Sequence, residues 1–249
     1  MLPTILALDT STEALAVALV SGERRWCHDG LGGAQASATL LPTVQRLLAE
    51  AQLELSAVDA IAYGRGPGAF TGLRTACSVA QGLALGLGCP VLPLSSLWIP
   101  AQQAWRLAGC PAEAEWGIDV LMDARMGELY AAAFRRAEDD TPGSWQCEWP
   151  ETLCTPAAWF EARGGLAVRC TGSGLGLVPA LAHRPETTSA STVELLALGA
   201  DRADALADLA LAAWQAGAQA DPAEALPIYL RDKVAQTTAE RAAAALAAA

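Results

Sequence analysis

Two aspartates follow short apolar segments that are typical of β-strands. Asp9 comes directly after residues 4–8, and Asp123 comes directly after residues 118–122. In both places turn residues and a second apolar segment follow, which predicts a strand–turn–strand unit. Carboxylates at two strand ends that face one cleft would suit magnesium–nucleotide chemistry. The sequence therefore leaves open a stand-alone metabolite kinase or ATPase that uses Asp9 and Asp123, although an Asp after a strand is as often simply part of a turn.

A glycine-rich turn over residues 64–72 is the most conspicuous motif. It has four glycines in nine residues and precedes a predicted helix. Glycines permit close backbone approach, and a helix N-terminus favours anions. Neither the Gly-Lys-Ser/Thr of a P-loop nor the three-glycine dinucleotide pattern fits any register. We favour a tight turn that lets the helix pack closely, and we keep Asp9, Gly66, Gly68 and Gly72 as a candidate nucleotide-proximal turn.

Histidines and cysteines form no pattern that supports catalysis or metal binding. His28 and His183 are 155 residues apart, and Ser173 has Thr171 where a nucleophile elbow needs its first glycine. The seven cysteines are odd in number and never spaced as C-x-x-C, which argues against disulfides and zinc. We therefore predict no catalytic residue, no metal site and buried, inert thiols.

Composition and charge limit the classes of partner. Hydrophobic residues make up 53% of the 249 residues and charged residues 17%, so a sizeable core is expected. The net charge of −11 argues against unaided binding to a phosphate backbone. With no signal peptide and no apolar run long enough to span a bilayer, we expect a cytoplasmic protein that does not bind membranes.

The predicted elements that position these residues alternate between strands and helices. After the first strand–turn–strand unit come a helix over residues 37–51, a strand over 58–63, a helix over 71–87, a strand over 90–94 and a helix over 95–107. The strand–turn–strand pattern then restarts about 115 residues after the first, with strands over 118–123 and 128–135. This restart predicts a duplicated α/β architecture. Residues 136–165 show no clear periodicity.

Two helices carry more apolar surface than one face requires. In the first, Leu40, Leu41, Val44 and Leu48 lie on one side. In the second, Ala76 and Ala80 belong to a ridge of small residues, and Val79 and Leu83 occupy neighbouring faces. Such a helix is either central to its domain or covered by a partner.

Five segments, in this order and spanning nearly the whole chain, resemble the bacterial TsaB family: residues 6–14, 64–74, 80–84, 122–130 and 227–231. The resemblance implies an actin/Hsp70-like (ribonuclease H-like) α/β fold of duplicated lobes, each a mixed sheet flanked by helices. It implies a non-catalytic scaffold subunit in the synthesis of threonylcarbamoyladenosine next to the tRNA anticodon. The transfer itself would be done by a metal-dependent TsaD-like subunit, joined by a TsaE-like ATPase.

The same resemblance sets expectations for domains, interface and ligands. We expect an N-terminal lobe of residues 1–101 that is completed by a helix near 202–217, and a divergent lobe of residues 102–201. The alanine-rich tail of residues 232–249 is open between a helical extension, a segment ordered by a partner and a frayed, disordered end. We expect a homodimer when the chain is alone, contact with tRNA only through the complex, and ATP or ADP only at a composite interface. The predicted partner interface consists of Leu40, Leu41, Val44, Leu48, Ala76, Val79, Ala80 and Leu83.

Overall fold

The computed structural model describes residues 2–111, 116–136, 143–163, 169–178, 181 and 194–231. Its first sheet has five strands in the order β3-β2-β1-β4-β5. Strands β1, β2 and β3 pair antiparallel, whereas β1, β4 and β5 run parallel. The strands are β1 (Thr4–Asp9), β2 (Ala14–Ser21), β3 (Arg24–Leu31), β4 (Ala60–Gly66) and β5 (Val91–Ser95).

The second sheet repeats the first. Its order is β10-β9-β6-β7-β8, with β6, β7 and β8 antiparallel and β6, β9 and β10 parallel. The same order and directions in both sheets confirm the predicted actin/Hsp70-like fold with duplicated mixed sheets. The strands are β6 (Gly117–Arg125), β7 (Glu128–Arg136), β8 (Trp145–Cys154), β9 (Arg169–Thr171) and β10 (Glu194–Leu196).

Helices cover both faces of the first sheet, so every residue of β1 is buried. Because side chains alternate along a strand, Leu6 and Leu8 pack with the helices on one face, whereas Ile5 and Ala7 pack with the helix on the other. The first face carries α1 (Ala36–Ala51) and α2 (Phe70–Leu87), and the second carries α5 (Arg202–Gln215). The helix near residues 202–217 therefore packs against the first sheet although it follows the second in the chain.

Helix α3 (Trp98–Leu107) connects the two lobes. It packs beside α5, and Leu97, Ala101 and Trp105 form a buried cluster with Trp116 and Ile118 of the second lobe. The two sheets are thus joined by a shared apolar contact as well as by the chain.

Three of these strands and helices were not predicted from the sequence. Strand β8 and helix α4 (Pro156–Arg163) fall in the segment without periodicity, and the short strand β10 lies beyond it. Strand β8 is an edge strand with residues mostly part-exposed, a place where Pro150 is tolerated and the alternation of apolar residues is weak. Helix α4 is held by a contact with a residue distant in sequence, because Arg163 donates to the carboxylate of the buried Asp119 of β6 at 2.8 and 3.0 Å. His183 and the tail of residues 232–249 lie outside the described residues.

No helix among the described residues is long and apolar enough to cross a membrane.

Candidate functional site

A cleft of about 660 Å³ lies between the two lobes. The turn after β1 lines one side with Ser11 and Thr12, and the end of β6 lines the other with Asp123 and Arg125. The two strand–turn–strand units found in the sequence therefore face each other across one cavity. Its volume is in the range of small-molecule sites.

Asp9 is fully buried and is held by a guanidinium. Arg202, the first residue of α5, donates to Asp9 Oδ1 from Nη2 at 2.7 Å and from Nε at 3.2 Å. The hydroxyl groups of Ser11 and Ser96 donate to the same carboxylate at 3.0 and 3.2 Å. The carboxylate is therefore neutralised and hydrogen-bonded from inside the protein, behind Ser11 and Arg202, which line the cleft.

Asp123 has a different environment. Its side chain is 31% exposed and lines the cleft. Its Oδ1 accepts a hydrogen bond from the Arg125 amide at 2.7 Å, as a turn-forming aspartate does. The expectation that both carboxylates face one cleft is wrong for Asp9, because its side chain is 0% exposed, with Oδ1 bound by Arg202 and Oδ2 by Ser96. In the part of the chain that the structure describes, no group of three or more His, Cys, Asp or Glu side chains is placed to hold a metal ion.

Arg202 was missed from the sequence, although one signal was present. A positive charge in the first turn of a helix opposes the helix dipole, and α5 is otherwise rich in alanine and leucine. An arginine at that position needs a compensating partner, and Asp9 is that partner. Local sequence pattern could not predict the pairing, because 193 positions separate the two residues.

The glycine-rich turn packs directly on the turn that follows β1. Thr10 Oγ1 donates to the Gly72 carbonyl at 2.6 Å, and the Ala69 amide donates to the Ser11 carbonyl at 2.7 Å. A β-carbon on Gly72 would lie 1.8 Å from the Thr10 carbonyl oxygen, and one on Gly68 would lie 2.4 Å from that of Ser11. A β-carbon on Gly66 would meet the Ile228 carbonyl oxygen at 2.7 Å. At these three positions the space beside each glycine is filled by backbone of the same chain.

The eight side chains predicted as a partner interface separate into two groups. Five lie in the domain core and are at most 7% exposed, so they cannot contact a partner directly: Leu40, Val44, Leu48, Ala76 and Ala80. The physical reason is that Leu40, Val44, Leu48 and Ala80 face the core against the first sheet. The other three reach the surface: Leu41 is 43% exposed, and Val79 and Leu83 are half-buried.

Several apolar side chains of these two helices reach the surface. They include Leu41, Val79, Leu83 and Leu85, of which Leu85 is 59% exposed. The exposed face of α2 also carries small residues, including Ser78 and Gly82, which would let another helix approach closely. We refer to these six residues as the α1–α2 patch.

The thiols are less uniformly buried than predicted. Cys77 and Cys170 are buried, and burial raises the pKa of each to about 12, so neither forms a reactive thiolate near neutral pH. Cys110 and Cys147 are exposed, which corrects the prediction for these two. Cys147 lies on the edge strand β8, and Cys110 follows the end of α3.

Glu151 of β8 reaches across to the first lobe. It accepts a hydrogen bond from Ser95 Oγ at the end of β5. Burial raises the pKa of Glu151, an effect that the Ser95 hydrogen bond and the nearby Arg65 charge only partly offset. The folded protein therefore binds a proton here more tightly than the unfolded chain does.

We expect this carboxyl group to make stability depend on pH. Because the pKa of Glu151 is raised in the folded state, its contribution to the free energy of unfolding is full below the unfolded pKa of about 4.3. This contribution is lost as the pH rises through the folded pKa. In urea unfolding measured from pH 4 to 8, Glu151→Gln should remove this decline. Parallel pH profiles for the wild type and Glu151→Gln would contradict the assignment.

The fold and the cleft define a two-lobed protein of the actin/Hsp70-like class in which an arginine holds the carboxylate at the end of the first strand. A family model described as TsaD, tRNA N6-adenosine threonylcarbamoyltransferase, matches residues 33–239. The tRNA threonylcarbamoyladenosine biosynthesis protein TsaB of Escherichia coli K12 is 34% identical over 233 residues, which cover 93% of this chain and 96% of that protein. The TsaB of Haemophilus influenzae is 40% identical over 158 residues, which cover 61% and 64% of the two chains.

A solved structure agrees with these relatives. YeaZ from Pseudomonas aeruginosa superposes with a TM-score of 0.74 at 39% identity, over 92% of this chain and 100% of that one. The chain belongs to the TsaB family.

Proposed function

We propose that this chain is a non-catalytic subunit in threonylcarbamoyladenosine biosynthesis on tRNA, where it binds and activates a TsaD-like catalytic subunit in the cytoplasm. The observation that carries the proposal is the buried pair of Arg202 and Asp9, 2.7 Å apart. It leaves the chain without the free carboxylate that a kinase-like reaction would need at the end of β1. The family relationship supports threonylcarbamoyladenosine biosynthesis as the pathway in which the chain acts.

The proposed partner surface is the α1–α2 patch. Its apolar side chains would supply buried area worth about 25 cal/mol per Å² before the costs of association. Its small residues on α2 allow helix-to-helix contact. The same patch serves for a homodimer when the partner is absent, and a TsaE-like ATPase joins the complex elsewhere. With a net charge of −11, the chain contacts tRNA only through the complex.

A glutamate on the patch should break the complex. Leu41→Glu places a charge where the partner would desolvate it, so we expect affinity for the TsaD-like subunit to fall by about tenfold or more. Leu41 is the position of choice because a glutamate at the fully buried Ala80 would disrupt the fold itself. The affinity can be measured by calorimetric titration of the purified subunits.

Leu107→Glu is the matched control. Leu107 is 56% exposed at the end of α3, outside the patch, so the same substitution there should leave the affinity unchanged. Wild-type affinity in Leu41→Glu, or an equal loss in Leu107→Glu, would show that the interface lies elsewhere.

A second candidate function is nucleotide sensing at a composite site. The cleft of about 660 Å³ and the partly exposed Asp123 within it favour this role. ATP or ADP would bind only when the partner completes the site, because the chain's own backbone fills the space beside the glycine-rich turn and the partner would have to supply the phosphate contacts. Calorimetry with ATP and magnesium should show no binding to the chain alone and binding once the partner is added, in excess of what the partner binds by itself. Binding to the isolated chain, or no such excess, would contradict this role.

A further inference from the structure

The segment of residues 227–231 crosses the cleft and contacts both lobes. On the side of the first lobe, the Ile228 amide donates to the Arg65 carbonyl at 2.7 Å. The Tyr229 ring lies 4.9 Å from the Phe70 ring, and its hydroxyl accepts a hydrogen bond from Arg74 Nε at 3.0 Å. One backbone contact and one side-chain cluster therefore attach the segment to β4 and α2.

On the side of the second lobe, the same segment is held through Arg231. Its guanidinium pairs with Glu128 at 2.7 Å and donates to the Ala124 carbonyl at 3.1 Å. The Arg231 side chain is only 13% exposed. Arg231 thus binds the Glu128 carboxylate and the Ala124 carbonyl at once, on either side of the turn between β6 and β7. The planar guanidinium provides this geometry, and a lysine does not.

The position of the segment relates it to the cleft. Its residues 228–231 line the cavity together with the turns of both lobes, whereas the buried cluster around α3 joins the lobes elsewhere. The two facing turns are also joined by the ion pair Arg125–Glu13, at 3.3 Å, with side chains 72% and 78% exposed. Exposed pairs of this kind contribute little to stability.

We propose that residues 227–231 form an inter-lobe strap that holds the cleft closed, and that Arg231 is the residue through which the strap holds the second lobe. The close approach at Gly66 supports this, since a side chain there would displace the Ile228 carbonyl. Release of the Arg231 contacts then lets the lobes separate and widens the cleft. The strap also touches the first turn of α2 through Phe70, so it is in contact with the helix that carries the α1–α2 patch.

The test compares Arg231→Gln with the wild-type full-length chain. Two readouts are needed: hydrogen exchange of the Ile228 amide, and small-angle X-ray scattering of the protein in solution. We expect exchange at Ile228 to accelerate by about tenfold or more, as for a locally opened segment, and the radius of gyration to increase as the lobes separate. Arg231→Lys should show the same two changes in weaker form.

Arg46→Gln is the control, because it removes an exposed ion pair of similar length, 2.8 Å to Glu50, on the surface of α1. It should change neither readout. Unchanged Ile228 exchange in Arg231→Gln would overturn the strap. Faster exchange with an unchanged scattering profile would overturn it equally, because the segment would then be loosened without any effect on the lobes.

Discussion

Arg202→Met is expected to lower the free energy of unfolding by about 3–5 kcal/mol, the usual loss when one partner of a buried ion pair is removed. Asp9 is 0% exposed, so its carboxylate would be left without a counter-charge in the protein interior. The hydroxyl groups of Ser11 and Ser96 would still donate to it, but neither carries a charge. Urea denaturation followed by circular dichroism measures the loss.

The double variant Asp9→Asn/Arg202→Met distinguishes the ion pair from simple loss of packing. Removing both charges should recover most of the lost stability, because no unpaired charge then remains buried. A single variant within about 1 kcal/mol of the wild type, or a double variant no more stable than Arg202→Met, would contradict the assigned role of Arg202.

The second large effect is expected at Gly72. In Gly72→Ala the new β-carbon would meet the Thr10 carbonyl oxygen at 1.8 Å, and backbone on both sides leaves no flexible group to move aside. We expect a loss of about 1–3 kcal/mol or more, together with disruption of the Thr10 hydrogen bond to the Gly72 carbonyl.

Gly86→Ala provides a control in the same helix and outside the α1–α2 patch. Nothing lies within 4 Å of a β-carbon added at Gly86, so the alanine should be neutral or should stabilise the helix by up to about 1 kcal/mol. The two substitutions are chemically identical, and thermal unfolding compares them directly. Equal stabilities for the two variants would show that the glycine-rich turn is not packed as described.

Arg202 and Gly72 both hold the turn after β1 in place. The glycine-rich turn packs on one side of the turn after β1, and Arg202 binds Asp9 on the other side. Both contacts occupy groups at the end of β1, the Asp9 carboxylate and the backbone beside it, so this region is stabilised as structure. The surfaces that we propose for function are the α1–α2 patch and the cleft.

Local pattern was sufficient to predict much of this fold. The apolar periodicity of residues 37–51 and 71–87 predicted α1 and α2 to within one residue at their starts, and the repeated strand–Asp–turn unit predicted the duplicated sheets. These features depend on neighbours in sequence, where side-chain spacing reports directly on the face of a helix or strand.

Features fixed by distant contacts could not be predicted in the same way. The pairing of Arg202 with Asp9 spans 193 residues, and that of Arg231 with Glu128 depends on how the two lobes face each other. Similarly, apolar periodicity showed that Leu40 and Leu41 lie on a helix that packs against something. It could not show that Leu40 faces the sheet of its own domain while Leu41 faces solvent.

The most direct test of the proposed function is light scattering of the purified chain, alone and after mixing with the TsaD-like subunit of the same organism. We expect a homodimer that converts to a complex of the two subunits, and we expect Leu41→Glu to prevent the conversion while Leu107→Glu does not. Two separate species whose masses are unchanged on mixing would contradict the proposed function, because the chain would then lack the partner on which its role depends.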